Sequence, residues 1–206
     1  MIGKLIDIEG IDKSGKTTQI KLILEKMKRS KHRIKVLRYP DRSSVYGKIL
    51  DNFLKGRIIL GRYEQVLLFL LDMLKDQEYI KGEIEKGNDI LLDRYFISTI
   101  AYQTKNKKDY DNIKKIIESI NLIKPDLIIY LDIKPETSLK RLKKEALKAE
   151  IFENKLRTLK SVRDTYLKMR KEGFPTRNWE VINASKDMME INSEITTILE
   201  KTKKNG

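Results

Sequence analysis

Gly10-Ile11-Asp12-Lys13-Ser14-Gly15-Lys16-Thr17 fits the phosphate-loop pattern G-x-x-x-x-G-K-[ST], and few eight-residue runs dictate their surroundings so fully. Its glycines allow a tight loop whose backbone N–H groups point inward. The helix that follows adds its own N-terminal donors, so the loop becomes a nest for anions. Such a loop needs a strand before it and a helix after it. Leu5-Ile6-Asp7-Ile8 supplies the strand, and Lys16 to Arg29 carries Ile20, Ile23, Leu24 and Met27 at helical spacing. In that setting Gly10, Asp12, Lys13, Ser14, Gly15 and Thr18 line a nucleotide-phosphate site. Lys16 reaches the β- and γ-phosphates, and the Thr17 hydroxyl faces Mg²⁺.

The rest of the chain repeats the alternation. Short apolar runs at Ile34–Leu37, Asp89–Leu92, Leu127–Leu131 and Trp179–Ile182 suit strands buried on both faces of a parallel sheet. Helical patterns lie between them at Ser44–Leu54, Tyr63–Ile84, Tyr110–Ile123, Glu136–Lys144, Glu153–Arg170 and Asp187–Glu200, with residues 201–206 expected as a frayed tail. Strands alternating with helices predict a doubly wound α/β fold of three layers. At 206 residues one domain is expected.

Composition removes other classes. With no cysteine there is no disulfide framework, Cys-ligated zinc or thiol catalysis, and a single histidine, His32, makes no His cluster. His32, just past a basic helix end, reads as a surface residue. The longest apolar run, Val66–Leu71, is far short of the roughly 20 residues of a membrane span. Asp7 and Glu9 stand where a signal peptide would be apolar, so a soluble cytoplasmic protein with no membrane partner is expected. The formal net charge of +14 attracts polyanions without saying which. Residues 134–177 alone hold 14 Lys+Arg against 6 Asp+Glu, a surplus of +8, the pattern of a solvated helix face.

A second acidic group is expected beside the loop. Ile90-Leu91-Leu92-Asp93 ends an apolar strand in a carboxylate, at the sheet edge where open α/β folds bind ligands. There Asp93 can orient Mg²⁺ directly or through water. A helix cap, or an ion pair with Arg94, is the blander alternative.

Six motifs, in order, resemble the thymidylate kinases among the P-loop nucleoside-monophosphate kinases. They are the loop with its trailing Thr17-Thr18-Gln19, Tyr39-Pro40-Asp41-Arg42 with Gly47-Lys48, Leu67-Leu68-Phe69, Asp93-Arg94-Tyr95 with Ser98 and Ala101-Tyr102, Lys124-Pro125-Asp126-Leu127, and Asn183-Ala184-Ser185. The resemblance implies a P-loop kinase fold, a five-stranded parallel sheet flanked by helices with a short lid at about residues 143–153. It also implies transfer of the γ-phosphoryl of ATP to a deoxynucleoside monophosphate, dTMP first among them, with Mg²⁺, in a homodimer joined through apolar helix faces. By matched position, Asp12 would hold the sugar 3′-OH, and Arg42 and Arg94 the acceptor phosphate, Arg94 also touching the transferring group. Phe69 would stack on the base beside Tyr39 and Thr99, and Tyr102 would sit against the sugar. Arg141 and Ser185 would lie near the adenine. Lys13 resembles the version of the family whose catalytic cation comes from the loop, although Lys143, Lys144 and Lys148 offer a lid alternative.

One position departs from the family. Met73 stands where an Arg usually bonds a thymine carbonyl, and Met cannot donate that hydrogen bond. Altered or relaxed base specificity follows unless Asp72, Lys75, Thr99 or Gln103 substitutes. Plainer roles stay open: Tyr39 and Phe69 as core aromatics, Arg42 and Lys13 as solvated cations. So do two other activities, a deoxynucleoside kinase and a nucleic-acid-binding ATPase, although no nucleic-acid module signature is present and two arginines in phosphate motifs argue against a nucleoside acceptor.

Overall fold

The structure, a computed structural model, describes residues 2–27, 34–142 and 149–204. Five strands, β1 (Leu5–Glu9), β2 (Ile34–Arg38), β3 (Asp89–Asp93), β4 (Leu127–Asp132) and β5 (Trp179–Asn183), form one sheet in the order β2-β3-β1-β4-β5. All four pairings are parallel, so every strand ends at the same edge. β1 and β3 are buried along their whole length, which is why both read as near-continuous apolar runs.

Helices α1 (Lys16–Met27), α2 (Val45–Leu54), α3 (Arg62–Leu74), α4 (Gln77–Glu85), α5 (Phe96–Gln103), α6 (Lys107–Ile120), α7 (Pro135–Leu142), α8 (Ala149–Glu172) and α9 (Met188–Lys204) connect and follow them. Crossover handedness sorts the layers. The step from β1 to β2 runs toward one edge of the sheet, and the later steps run toward the other. Right-handed crossovers therefore place α1 on one face and α3, α5 and α8 on the opposite face. Gln19 of α1 bonds the Met188 carbonyl at 2.9 Å and Asn192 at 3.2 Å, which docks α9 beside α1.

The fold departs from the sequence reading in three places. The helix expected over Tyr63–Ile84 is two helices. The break falls at Lys75–Asp76, where the Gln77 amide donates to the Met73 carbonyl at 2.8 Å and the Tyr39 hydroxyl holds the Asp76 carboxylate at 2.9 Å. Phe96–Gln103 is a helix that periodicity does not announce. Six of its eight residues are buried, polar Ser98 and Thr99 among them, so polarity and burial do not alternate with a helical period. α9 continues to Lys204 where a frayed tail was expected. The lid expected over 143–153 falls largely outside the described residues, as do His32, Lys143, Lys144 and Lys148.

Candidate active site

The strand ends and the phosphate loop enclose a cleft of about 1290 Å³. Gly10 sits at φ 150° against the Leu131 carbonyl, where a Cβ would lie 2.7 Å from that oxygen, and Gly15 sits at φ 104°. Lys13 takes a left-handed φ of 58° between them. Ser14 is buried, and its hydroxyl is without a partner inside the loop, as an atom waiting for a phosphate oxygen would be. Lys16 folds back so that Nζ donates to the Gly10 carbonyl at 2.8 Å and the Ile11 carbonyl at 3.1 Å. Burial pushes its ammonium down to about 7, and the Arg94 guanidinium adds to that against the pull of Glu9, Asp12 and Asp93.

Asp93 lies across the cleft floor, nearly buried, and its Oδ2 accepts from the Thr17 hydroxyl at 3.3 Å. A hydroxyl and a carboxylate converging beside a phosphate loop are the hard oxygen donors that Mg²⁺ takes alongside phosphate oxygens and waters. The pair fits such an ion, and among the described residues no richer acidic cluster competes for it.

Arg94 holds a left-handed φ of 72°. Its guanidinium donates to Ser98 Oγ at 3.2 Å, to the Gly10 carbonyl at 3.4 Å and to Asp12, and lies 5.1 Å from the Tyr102 ring. Burial works against its charge, but Tyr102, Tyr166, Asp12 and Glu9 outweigh burial and hold it above its ordinary value. Glu9 anchors this arrangement. Its carboxylate accepts from the backbone N–H groups of Tyr95 and Ser98, both at 3.1 Å, from Ser98 Oγ at 2.6 Å and from the Tyr166 hydroxyl at 2.7 Å. The Tyr102 hydroxyl reaches Asp12 at 3.0 Å, so Asp12, Arg94 and Tyr102 form one group at the cleft wall.

The remaining expected residues divide. Phe69 is half-buried, Met73 is buried, and both line the cleft with Tyr39, Thr99 and Tyr102. Arg42 lines it too, but Nε is 3.2 Å from Asp51, and 73% of the side chain is exposed. Arg141 bridges the two sides expected to hold the nucleotide, donating to the Lys13 carbonyl at 3.1 Å and the Ala184 carbonyl at 3.0 Å. Ser185 is exposed just past β5, where its backbone N–H meets Asn183 Oδ1 at 3.0 Å; Lys186 and Met188, not Ser185, reach the cleft. Of the four candidates to replace the missing arginine, Thr99 and Gln103 face the cleft. Asp72 does not, because its carboxylate takes the Asp41 N–H at 2.7 Å and the Ser44 hydroxyl at 2.5 Å. Lys75 does not, because it pairs with Asp41 and Asp76. Among the cleft residues that escaped sequence reasoning are two charged ones, Arg38 and Asp76. Arg38 falls one residue past the predicted second strand and Asp76 inside a predicted helix, so neither carried a local signal.

Comparison with known proteins agrees with this geometry. The family model described as thymidylate kinase matches residues 8–195. The chain belongs to the thymidylate kinase family. It is 33% identical to the putative thymidylate kinase 251L of Invertebrate iridescent virus 6 over 97% of this chain and 89% of that one. It is 37% identical to the probable thymidylate kinase of Methanocaldococcus jannaschii over 92% of each. The solved thymidylate kinase of Candida albicans superposes with a TM-score of 0.78 at 27% identity, over 98% of this chain and 93% of that one. Family membership makes the chain a phosphotransferase and accounts for the parallel sheet and phosphate loop together.

Proposed function

We propose that this protein, as a single kinase domain, transfers the γ-phosphoryl group of ATP to dTMP, giving dTDP. The observation that carries the reading is the group formed by Arg94, Asp12 and Tyr102 at a phosphate loop whose Ser14 hydroxyl is unpartnered. A nucleoside acceptor would need a general base. A phosphate acceptor is already a nucleophile and needs positively charged groups that hold it against the donor. Lys13, Lys16, Arg42 and Arg94 supply them. Lys16 meets the β- and γ-phosphates, Arg94 spans acceptor and transferring group, and Lys13 serves as the loop cation. Arg42 turns from Asp51 to the acceptor phosphate. Thr17 and Asp93 would hold Mg²⁺, which would neutralise charge on the donor phosphates.

Phe69 stacks on the base, and Tyr39, Thr99 and Met73 complete its pocket. Arg141 and the loop at Ser185 flank the adenine. Because Met73 offers no hydrogen bond, Thr99, whose hydroxyl is buried without a partner, and Gln103 are left to read the base. The Candida albicans relative is described as having broad substrate specificity, and a pocket without the arginine suits the same outcome here. Tyr63, Leu67, Leu71 and Leu74 expose one apolar face of α3, which we assign to a homodimer contact. No described helix is long and apolar enough to cross a membrane, and the reading places the enzyme with cytoplasmic nucleotide pools. ADP release measured against a panel of nucleosides and nucleoside monophosphates tests the proposal. Turnover with dTMP and none with thymidine is expected, and no turnover with any monophosphate refutes it.

A further inference from the structure

Arg38 has no part in the roles above, yet it touches the metal-side carboxylate. The register of β2 on β3 sets Arg38 opposite Asp93. Arg38 Nε donates to Asp93 Oδ2 at 2.7 Å, the same oxygen that accepts from Thr17. Asp93 is only 4% exposed, so without a positive partner it would be a buried charge with little water. The Arg38 side chain is 54% exposed in the cleft, and among the described residues its two terminal nitrogens have no hydrogen-bond partner. The two guanidiniums assigned to the acceptor phosphate are engaged. Arg94 is bonded to Gly10, Asp12 and Ser98, and Arg42 is turned onto Asp51.

We propose that Arg38 is an exchangeable counter-ion. It neutralises Asp93 in the metal-free enzyme, and it turns its fork to the acceptor's phosphate once the magnesium nucleotide is bound, so that the two substrates bind cooperatively. Two cations on one carboxylate oxygen repel each other, and a planar guanidinium released there matches two phosphate oxygens at once. β2 leads straight into Tyr39-Pro40-Asp41-Arg42 on the acceptor side, so the fork has a short way to move. The coupling is reciprocal by thermodynamic necessity: a nucleotide that tightens the acceptor is itself tightened by it. The inference rests on the phosphoryl-transfer reading above.

Calorimetric titration of dTMP tests it, with no nucleotide, with ADP alone and with Mg-ADP, on the wild type, Arg38→Gln and Arg38→Lys. In the wild type, Mg-ADP should tighten dTMP by about fivefold or more, and ADP without metal should not. In Arg38→Gln that ratio should fall to about one while thymidine, which lacks the phosphate, binds as before. Arg38→Lys keeps the charge without the fork and should restore part of the ratio; it also carries the test if the glutamine variant folds poorly. A residue that only supported the fold would weaken both states alike and leave the ratio untouched. Retention of the wild-type ratio in Arg38→Gln overturns the proposal, as does a wild type whose dTMP affinity ignores Mg-ADP. A wild type that binds no dTMP under any condition refutes the functional reading itself, and the proposal with it.

Discussion

Replacing Asp7 with valine should stabilise the protein. Asp7 is the middle residue of β1 and fully buried. Among the described residues no donor reaches either carboxylate oxygen, and its only polar neighbour for a proton is the Glu9 carboxylate. Burial raises its pKa well above the ordinary carboxylate value, and the neighbouring carboxylates Glu9 and Asp93 raise it further. An unsatisfied buried polar group costs about 1–3 kcal/mol, and valine fills a strand position with a side chain of similar size and better β preference. At about 2–4 °C per kcal/mol for a domain of this size, the melting temperature should rise by about 2–12 °C. The sign with pH follows from the raised pKa. Below the unfolded value both states carry the proton. Above it the unfolded chain releases the proton while the fold still holds it, so stability falls as pH rises toward the folded pKa. Asp7→Asn, which cannot ionise, removes that loss. Its advantage over wild type should therefore grow with pH above about 4, by up to about 1.4 kcal/mol per unit. Chemical denaturation at a series of pH values reads both effects. A valine variant less stable than wild type at neutral pH, or an asparagine advantage that does not change with pH, would refute the argument.

Other outcomes follow from the site. Lys16 is lowered to about 7 in the empty loop, and a polyphosphate will restore its charge. ATP binding should therefore take up close to one proton at pH 8 and almost none at pH 6, read from calorimetry in buffers of different ionisation enthalpy. Lys13→Gly should lower kcat by about 10²-fold or more with the acceptor affinity largely kept, if the loop supplies the catalytic cation; an unchanged kcat moves that role to the lid lysines. Met73→Arg should raise the ratio of dTMP to dCMP turnover by about tenfold or more, because a donor there suits the thymine carbonyl and opposes the cytosine amino group. It should also destabilise the protein, since Met73 is 1% exposed.

Most of the fold was legible because its signals are local. All five strands fall within a residue or so of their sequence positions. The inner strands β1, β3 and β4 are buried on both faces and cannot hide their apolar runs, while the more exposed edge strands β2 and β5 show through their β-branched and aromatic residues. The failures have local causes too. α5 buries polar Ser98 and Thr99 together with Ile97 and Ile100, so its polar residues do not mark a solvent face and no helical period stands out. The split at Lys75–Asp76 depends on Tyr39, which is 37 residues away from its partner Asp76. For the proposed base pocket the sequence offered four substitutes for the missing arginine on equal terms. Only packing separated Thr99 and Gln103, which face the cleft, from Asp72 and Lys75, which tie down the 41–44 turn.

By itself the sequence determined that this chain would hold phosphates at the end of a first strand. Eight consecutive residues make that nest, and a nest of backbone N–H groups needs no distant partner. The tertiary structure alone decided which charges face one another across it. Arg38 meets Asp93 because β2 pairs with β3 in one register, and Arg141 joins the loop to the end of β5 because α7 lies between them. Asp7 lies unpaired because the layers close over it. Coulomb energies depend on separation in space and on local dielectric, and neither is written in the spacing of residues along a chain.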